Sequence, residues 1–136
     1  MLKLMYITND PAVARIAVDA GVDRIFIDME VLGKAERQGG MDTVQSHHVP
    51  ADIVAVRSAI GDRAEIMARV NPLNPDSQAE INAAVANGAD VVMLPMWRTA
   101  EDLRQLVQMV GGRAKVMPLL ETDAAAENLT DAVRVQ

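Results

Sequence analysis

The 136 residues carry 13 Lys and Arg against 19 Asp and Glu, a net charge of -6, and such a balance argues against a nucleic-acid partner, which needs a clustered positive surface. With no cysteine in the chain, disulfides, thiolate metal sites and cysteine nucleophiles are excluded, and any metal must be held by oxygen or imidazole. Half of the residues are hydrophobic but only 2% are aromatic, so the core is built from Ala, Val, Leu, Ile and Met, as suits helices packed on a parallel sheet.

The opening stretch Met1-Leu2-Lys3-Leu4-Met5-Tyr6-Ile7 has neither the basic start nor the long apolar region of a signal peptide, and no apolar run approaches the roughly 20 residues of a membrane span. A soluble, cytoplasmic protein without a membrane partner is expected. From there the chain alternates two grammars. Strands are predicted at Leu2 to Thr8, Arg24 to Asp28, Glu65 to Val70, Asp90 to Pro95 and Lys115 to Leu120, short continuous apolar runs of the kind buried on both faces.

Between them lie segments of helical period with clear starts and stops. Asp10-Pro11 opens the first, with Val13, Ile16 and Ala17 on one face and Gly21 at its close. Pro50 opens the second, with Ile53, Val56 and Ile60 inward before Gly61, and Asn74-Pro75 opens the third, with Ile81, Ala84 and Val85 before Gly88. Thr99 caps the fourth, carrying Leu103, Leu106, Val107 and Val110 up to Gly111-Gly112, and Thr122 caps the last, carrying Leu129 and Val133. The long connection 31–49 holds Lys34, Arg37, His47 and His48 among glycines; a loop of that length in a compact domain is read as lying over an active-site face.

Five βα units could form a flavodoxin-like sheet of receiver type, but that arrangement wants clustered acids after the first strand and a lysine after the fifth. Here Asp10 is accounted for as a helix cap, and the fifth strand ends in Glu121. The fold expected instead is α/β, the first five units of a (β/α)8 TIM barrel, incomplete, since a whole one needs roughly 250 residues. Residues 1–136 would form a partial barrel domain, with open edges that favour a part of a longer protein or a homo-oligomer.

Four motifs in order, Ile25-Phe26-Ile27-Asp28-Met29-Glu30, Ala68-Arg69-Val70-Asn71-Pro72, Gly88-Ala89-Asp90-Val91-Val92-Met93-Leu94-Pro95-Met96 and Pro118-Leu119-Leu120-Glu121-Thr122, resemble the HpcH/HpaI aldolase and citrate lyase β-subunit family. The resemblance runs from about Thr8 to Ala126. It implies a metal-dependent carbon-carbon lyase of the pyruvate type with Mg²⁺ or Mn²⁺, in which Glu121 is one metal ligand and the second, an Asp on a sixth strand, lies beyond the chain. It also implies a small-molecule oxoacid or acyl-thioester as substrate. Hard divalent ions take carboxylate oxygens, so Glu121 suits that role on chemical grounds; capping the helix begun by Thr122 is the plainer alternative.

Arg69 is the expected electrostatic catalyst, because a guanidinium at the end of an apolar strand requires an anion, whether an enolate or an internal partner such as Asp28 or Glu30. The resemblance favours Glu30 as a contact to substrate or to the metal's water, with Asp28 beside it. In the aldolase branch a His follows this Glu and serves as base, and in the lyase branch an Asp follows; Val31 stands there in this chain. His48 is the candidate to replace the missing base, against a plain surface or capping role. Lys34 and Arg37 resemble the basic loop that faces anionic ligands in the lyase branch. Asn71 orients substrate or makes an Asn-Pro turn, and Pro95 begins a substrate wall in which Trp97 reads as packing. The missing ligand and missing units imply that this chain alone is inactive, and leave a non-catalytic fragment or assembly module as the alternative.

Overall fold

A computed structural model describes residues 2–32 and 47–135. Five strands, β1 (Met5–Ile7), β2 (Arg24–Asp28), β3 (Glu65–Arg69), β4 (Val91–Leu94) and β5 (Lys115–Pro118), form one parallel sheet in sequence order. Among the described residues the helices are α1 (Pro11–Asp19), α2 (Pro50–Ile60), α3 (Ser77–Ala86), α4 (Ala100–Val110), α5 (Asp123–Glu127) and α6 (Leu129–Ala132). This is the α/β alternation of the first five units of a barrel. Among the described residues β1 pairs only with β2 and β5 only with β4, so the sheet is not closed.

Alternation along each strand divides two cores. Ile25, Ile27, Ile66, Ala68, Val92 and Leu94 face the helices, where Ile53, Val56, Ile60, Ile81, Ala84, Leu103 and Leu106 cover them. Burying each of these larger aliphatic side chains contributes about 1.5–3 kcal/mol. The opposite face carries Phe26, Met67, Val91 and Met93, with Met117 and Leu119 against them. Both faces of the central strands are therefore apolar, as the lack of alternation in sequence requires.

Local chemistry sets the element ends. Asp10 Oδ1 accepts the Ala12 and Val13 N–H groups at 2.7 and 3.2 Å, capping α1, and Thr99 Oγ1 accepts Asp102 N–H at 3.3 Å to start α4. Gly111, at φ 58 and ψ 37, closes α4 in the left-handed conformation. β1 is shorter than predicted because the Asp23 carboxylate takes the Leu4 N–H at 2.9 Å and Leu4 O accepts both Asp23 and Arg24 N–H, so the ladder begins only at Met5.

Three expected core positions differ. Ile16 is 69% exposed, since the inward face of α1 runs through Ala14 and Ala17, and their small side chains let the helix lie close to the sheet. Leu129 and Val133 are also exposed; the predicted last helix breaks at Asn128 into two short ones, whose buried positions are Ala125 and Ala132.

Candidate active site

The parity that places Phe26, Met67 and Met93 on the inner face also places Asp28, Arg69, Pro95 and Glu121 near the carboxyl ends of their strands. Carboxyl ends are where parallel α/β folds present their chemistry. Asp28 and Arg69 are register partners across β2 and β3. Arg69 donates from Nε and Nη2 to the two Asp28 carboxylate oxygens, each at 2.8 Å, and its Nε lies 3.3 Å from Glu30 Oε2.

All three side chains are largely removed from solvent, at 17% exposure for Arg69, 4% for Asp28 and 2% for Glu30. The guanidinium also lies over the Phe26 ring, 5.4 Å from its centre, adding a cation–π contact. Hydrogen bonding to Asp28 chiefly, with the charges of Asp28, Glu30 and Glu121, raises the Arg69 pKa above its ordinary value and keeps it cationic. The internal ion pair weighed from the sequence is thus present, with both acids taking part.

Asn71 is buried and its Oδ1 accepts two successive backbone N–H groups, Val31 at 2.8 Å and Leu32 at 2.9 Å. It ties the start of the long loop to the end of β3. Its own N–H donates to Glu80 Oε2 at 3.2 Å, and Glu80 Oε1 accepts from Asn74 Nδ2 at 3.2 Å. Glu80 was not singled out from sequence; a Glu in the first turn of a helix reads there as a dipole partner, not as a clamp on the preceding loop.

Glu121 is exposed, and its Oε1 accepts the Met96 N–H at 3.0 Å. Met96 has φ 55, a left-handed conformation uncommon for a side chain of this kind and of the sort found where a site dictates the backbone. Nothing in the identity of a methionine signals that role. Beside it, Thr122 Oγ1 donates to Trp97 O at 2.8 Å and accepts Ala125 N–H at 3.0 Å, locking the β4 and β5 ends together. Pro95 is buried at this rim, and Trp97 packs into the helix-side core.

His48 Nδ1 accepts the Asp28 backbone N–H at 2.9 Å, so the histidine joins the Asp28–Arg69 cluster. His47 is exposed. Lys34 and Arg37 lie outside the described residues. Among the described residues no three metal-ligating side chains gather, and no helix is long and apolar enough to cross a membrane.

A concavity of about 1010 Å³ opens at the other end of the sheet, among the amino-terminal strand ends. Its charges are spent on one another. Arg24 Nε bonds Glu65 at 3.1 Å, Lys115 pairs with the same carboxylate, and Arg57 pairs with Asp90. The cluster at the carboxyl ends is the better site, because a cation and carboxylates converge there.

A family model described as HpcH/HpaI aldolase/citrate lyase matches residues 3–135. A comparison with curated proteins gives no match. Among solved structures, an HpcH/HpaI aldolase from Desulfitobacterium hafniense DCB-2 is similar with a TM-score of 0.68 at 16% identity, over 98% of this chain and 59% of that one. Citrate synthase SbnG gives 0.73 at 14% identity, over 98% and 56%. A phosphoribosyl anthranilate isomerase from Thermotoga maritima gives 0.63 at 14%, over 87% and 50%. At these identities the likeness is one of fold, and the chain spans little more than half the length of such neighbours.

Proposed function

Because the chain belongs to the HpcH/HpaI aldolase/citrate lyase family, we propose that it serves a carbon–carbon lyase dependent on Mg²⁺ or Mn²⁺. The enzyme acts on an oxoacid or acyl-thioester through an enolate, in the cytoplasm and as a homo-oligomer. The observation that carries this reading is Arg69, fixed by Asp28 through two bonds of 2.8 Å and flanked by Glu30 at 3.3 Å. Enolate charge develops only as the bond breaks or forms, and a cation oriented beforehand stabilises it without reorganising.

The donor chemistry suits a hard divalent ion. Asp28 and Glu30 are held by Arg69, which leaves the exposed Glu121 at the rim, and Mg²⁺ characteristically takes one or two carboxylates and completes its shell with water and substrate oxygens. Glu121 is the residue assigned to hold it, and the ion when bound supplies Lewis-acid charge to the substrate oxygens. Arg69 faces the developing oxyanion, Glu30 contacts substrate or the ion's water, Asp28 orients Arg69, and Asn71 holds the loop that begins at Val31. Lys34 and Arg37 are assigned to the anionic end of the substrate, with Pro95 in the wall.

Cleavage assays on the complete gene product with Mg²⁺, using an oxoacid aldol and an acyl-thioester, test the reading. Loss of turnover in a folded Arg69→Gln variant supports it, and unchanged turnover sinks it. A second reading, a non-catalytic barrel module, draws on the lack of a three-ligand cluster among the described residues; for the same reason the 136 residues alone are assigned no turnover. Calorimetry with Mn²⁺ and pyruvate separates the two, since tight joint binding contradicts a module.

A further inference from the structure

Where β2 and β3 part, side chains take over the work of the sheet. Met29 N–H still reaches Arg69 O at 3.0 Å, and a continued parallel ladder would next pair Asn71 N–H with Met29 O and Val31 N–H with Asn71 O. Glu80 Oε2 takes the first of these donors at 3.2 Å, and Asn71 Oδ1 takes the second at 2.8 Å, together with Leu32 N–H at 2.9 Å. Between them Glu30 N–H donates to Asp28 Oδ1 at 3.3 Å. Every main-chain N–H from Met29 to Leu32 is thus held by a group at the end of β2 or β3. Glu30 lies within that run, its carboxylate 3.3 Å from Arg69 Nε.

The run hangs on Asn71, and Asn71 is held from behind by one carboxylate. Glu80, in the first turn of α3, reaches back over the loop that joins β3 to its helix. Its two oxygens serve two donors, Oε2 the Asn71 N–H and Oε1 the Asn74 Nδ2, each at 3.2 Å. Asn74 also donates to Pro72 O at 2.9 Å, takes Asp76 N–H on Oδ1 at 2.8 Å, and gives its own N–H to Ser77 Oγ at 2.9 Å. The loop is closed on the helix that carries Glu80. An ionised carboxylate accepts on both oxygens, whereas an amide offers one acceptor and one donor group, so two converging donors call for Glu at this position.

We propose that Glu80 is a positioning residue of the carboxyl-end site: through Asn71 it fixes the main chain of Glu30 to Leu32 and so sets the Glu30 carboxylate against Arg69. Its consequence for catalysis rests on the enolate reading above. Glu80 acts through Asn71 and not on the substrate, and groups that stabilise a transition state depend on such support for their placement.

Amide exchange and the Arg69 Nε–H resonance of the 136-residue chain test the proposal without substrate. In Glu80→Ala, the N–H groups of Asn71, Val31 and Leu32 are expected to exchange at least about fivefold faster, the lower end for a donor that loses its partner. Ile25 and Ile66 should keep their rates, and the Arg69 signal should shift. Glu80→Gln, which keeps one acceptor, should fall between Ala and wild type, and it carries the same comparison if the Ala variant does not fold. Wild-type exchange at Val31 and Leu32, an unmoved Arg69 signal, or equal acceleration at Ile25 and Ile66 overturns the proposal. In the complete gene product, folded Glu80→Ala is expected to lose roughly 10²-fold in kcat for oxoacid cleavage, the cost of a small misplacement transmitted from a distance. An Ala variant at wild-type kcat overturns the positioning role. Wild-type protein that cleaves neither class of substrate counts against the lyase reading, and the exchange rates then still decide whether Glu80 sets Glu30.

Discussion

Asp28 and Arg69 are register partners on adjacent parallel strands and are joined through both carboxylate oxygens at 2.8 Å, with Asp28 almost wholly buried. Breaking a buried pair costs about 3–5 kcal/mol, and Glu30, 3.3 Å from Arg69 Nε, remains as a counter-charge when Asp28 is removed, which holds the loss near the lower end, about 3 kcal/mol. Asp28→Ala should therefore destabilise the chain by about that amount in urea unfolding, through a lower midpoint at an unchanged slope. Asp28→Asn, which keeps the shape and one acceptor, should cost less.

Asn71 makes a different kind of link. Its single Oδ1 serves two backbone donors, at Val31 and Leu32, so Asn71→Ala orphans both and should cost about 1–3 kcal/mol. Amide hydrogen exchange at Val31 and Leu32 should accelerate more than at Ile25 or Ile66 in the same variant. Equal changes at all four would show that Asn71 does not anchor the loop.

Acid should loosen the inner face. Hydrogen bonds from Lys115 first and Arg24 second hold the Glu65 pKa below its ordinary 4.5. A depressed carboxylate contributes stability that is fully present above the unfolded value and is lost as pH falls through the folded one. Thermal melts should show stability falling as pH drops below about 4.5, and Glu65→Gln should flatten that dependence while lowering stability at neutral pH.

The corrected face of α1 is testable by substitution. Ile16→Gln, at a 69% exposed position, should change stability by less than about 0.5 kcal/mol. Ile53→Ala, at a fully buried one, should cost about 2–5 kcal/mol. The reverse order would place Ile16 inward, as its helical spacing from Val13 suggested.

Ile16 also shows why sequence reading stops where it does. The strand runs, the helix openings at Asp10, Pro50 and Thr99, and the family motifs were legible, because short-range sterics and capping write them into residue type; burial on both faces holds for β2, β3 and β4, whereas β1 and β5, at the edges of the sheet, are largely exposed. Which face of α1 turns inward was not, since Ala14 and Ala17 compete with Val13 and Ile16 and only close packing on the sheet decides. At the site, their position at the ends of apolar strand runs foretold that Asp28 and Arg69 stand near the rim. The Met96 backbone bond to Glu121 and the His48 bond to Asp28 depend on where main-chain donors end up unpaired, which residue identity does not encode.

The central claim, that Arg69 stabilises an enolate in a carbon–carbon lyase, is tested most directly by kcat of the complete gene product for oxoacid or acyl-thioester cleavage with Mg²⁺. Arg69→Gln should be measured alone and together with Asp28→Asn, so that in the second variant that acid is neutralised along with the guanidinium. Both variants, shown to be folded, are predicted to lose roughly 10²–10³-fold in kcat. Wild-type kcat in either folded variant would contradict the account.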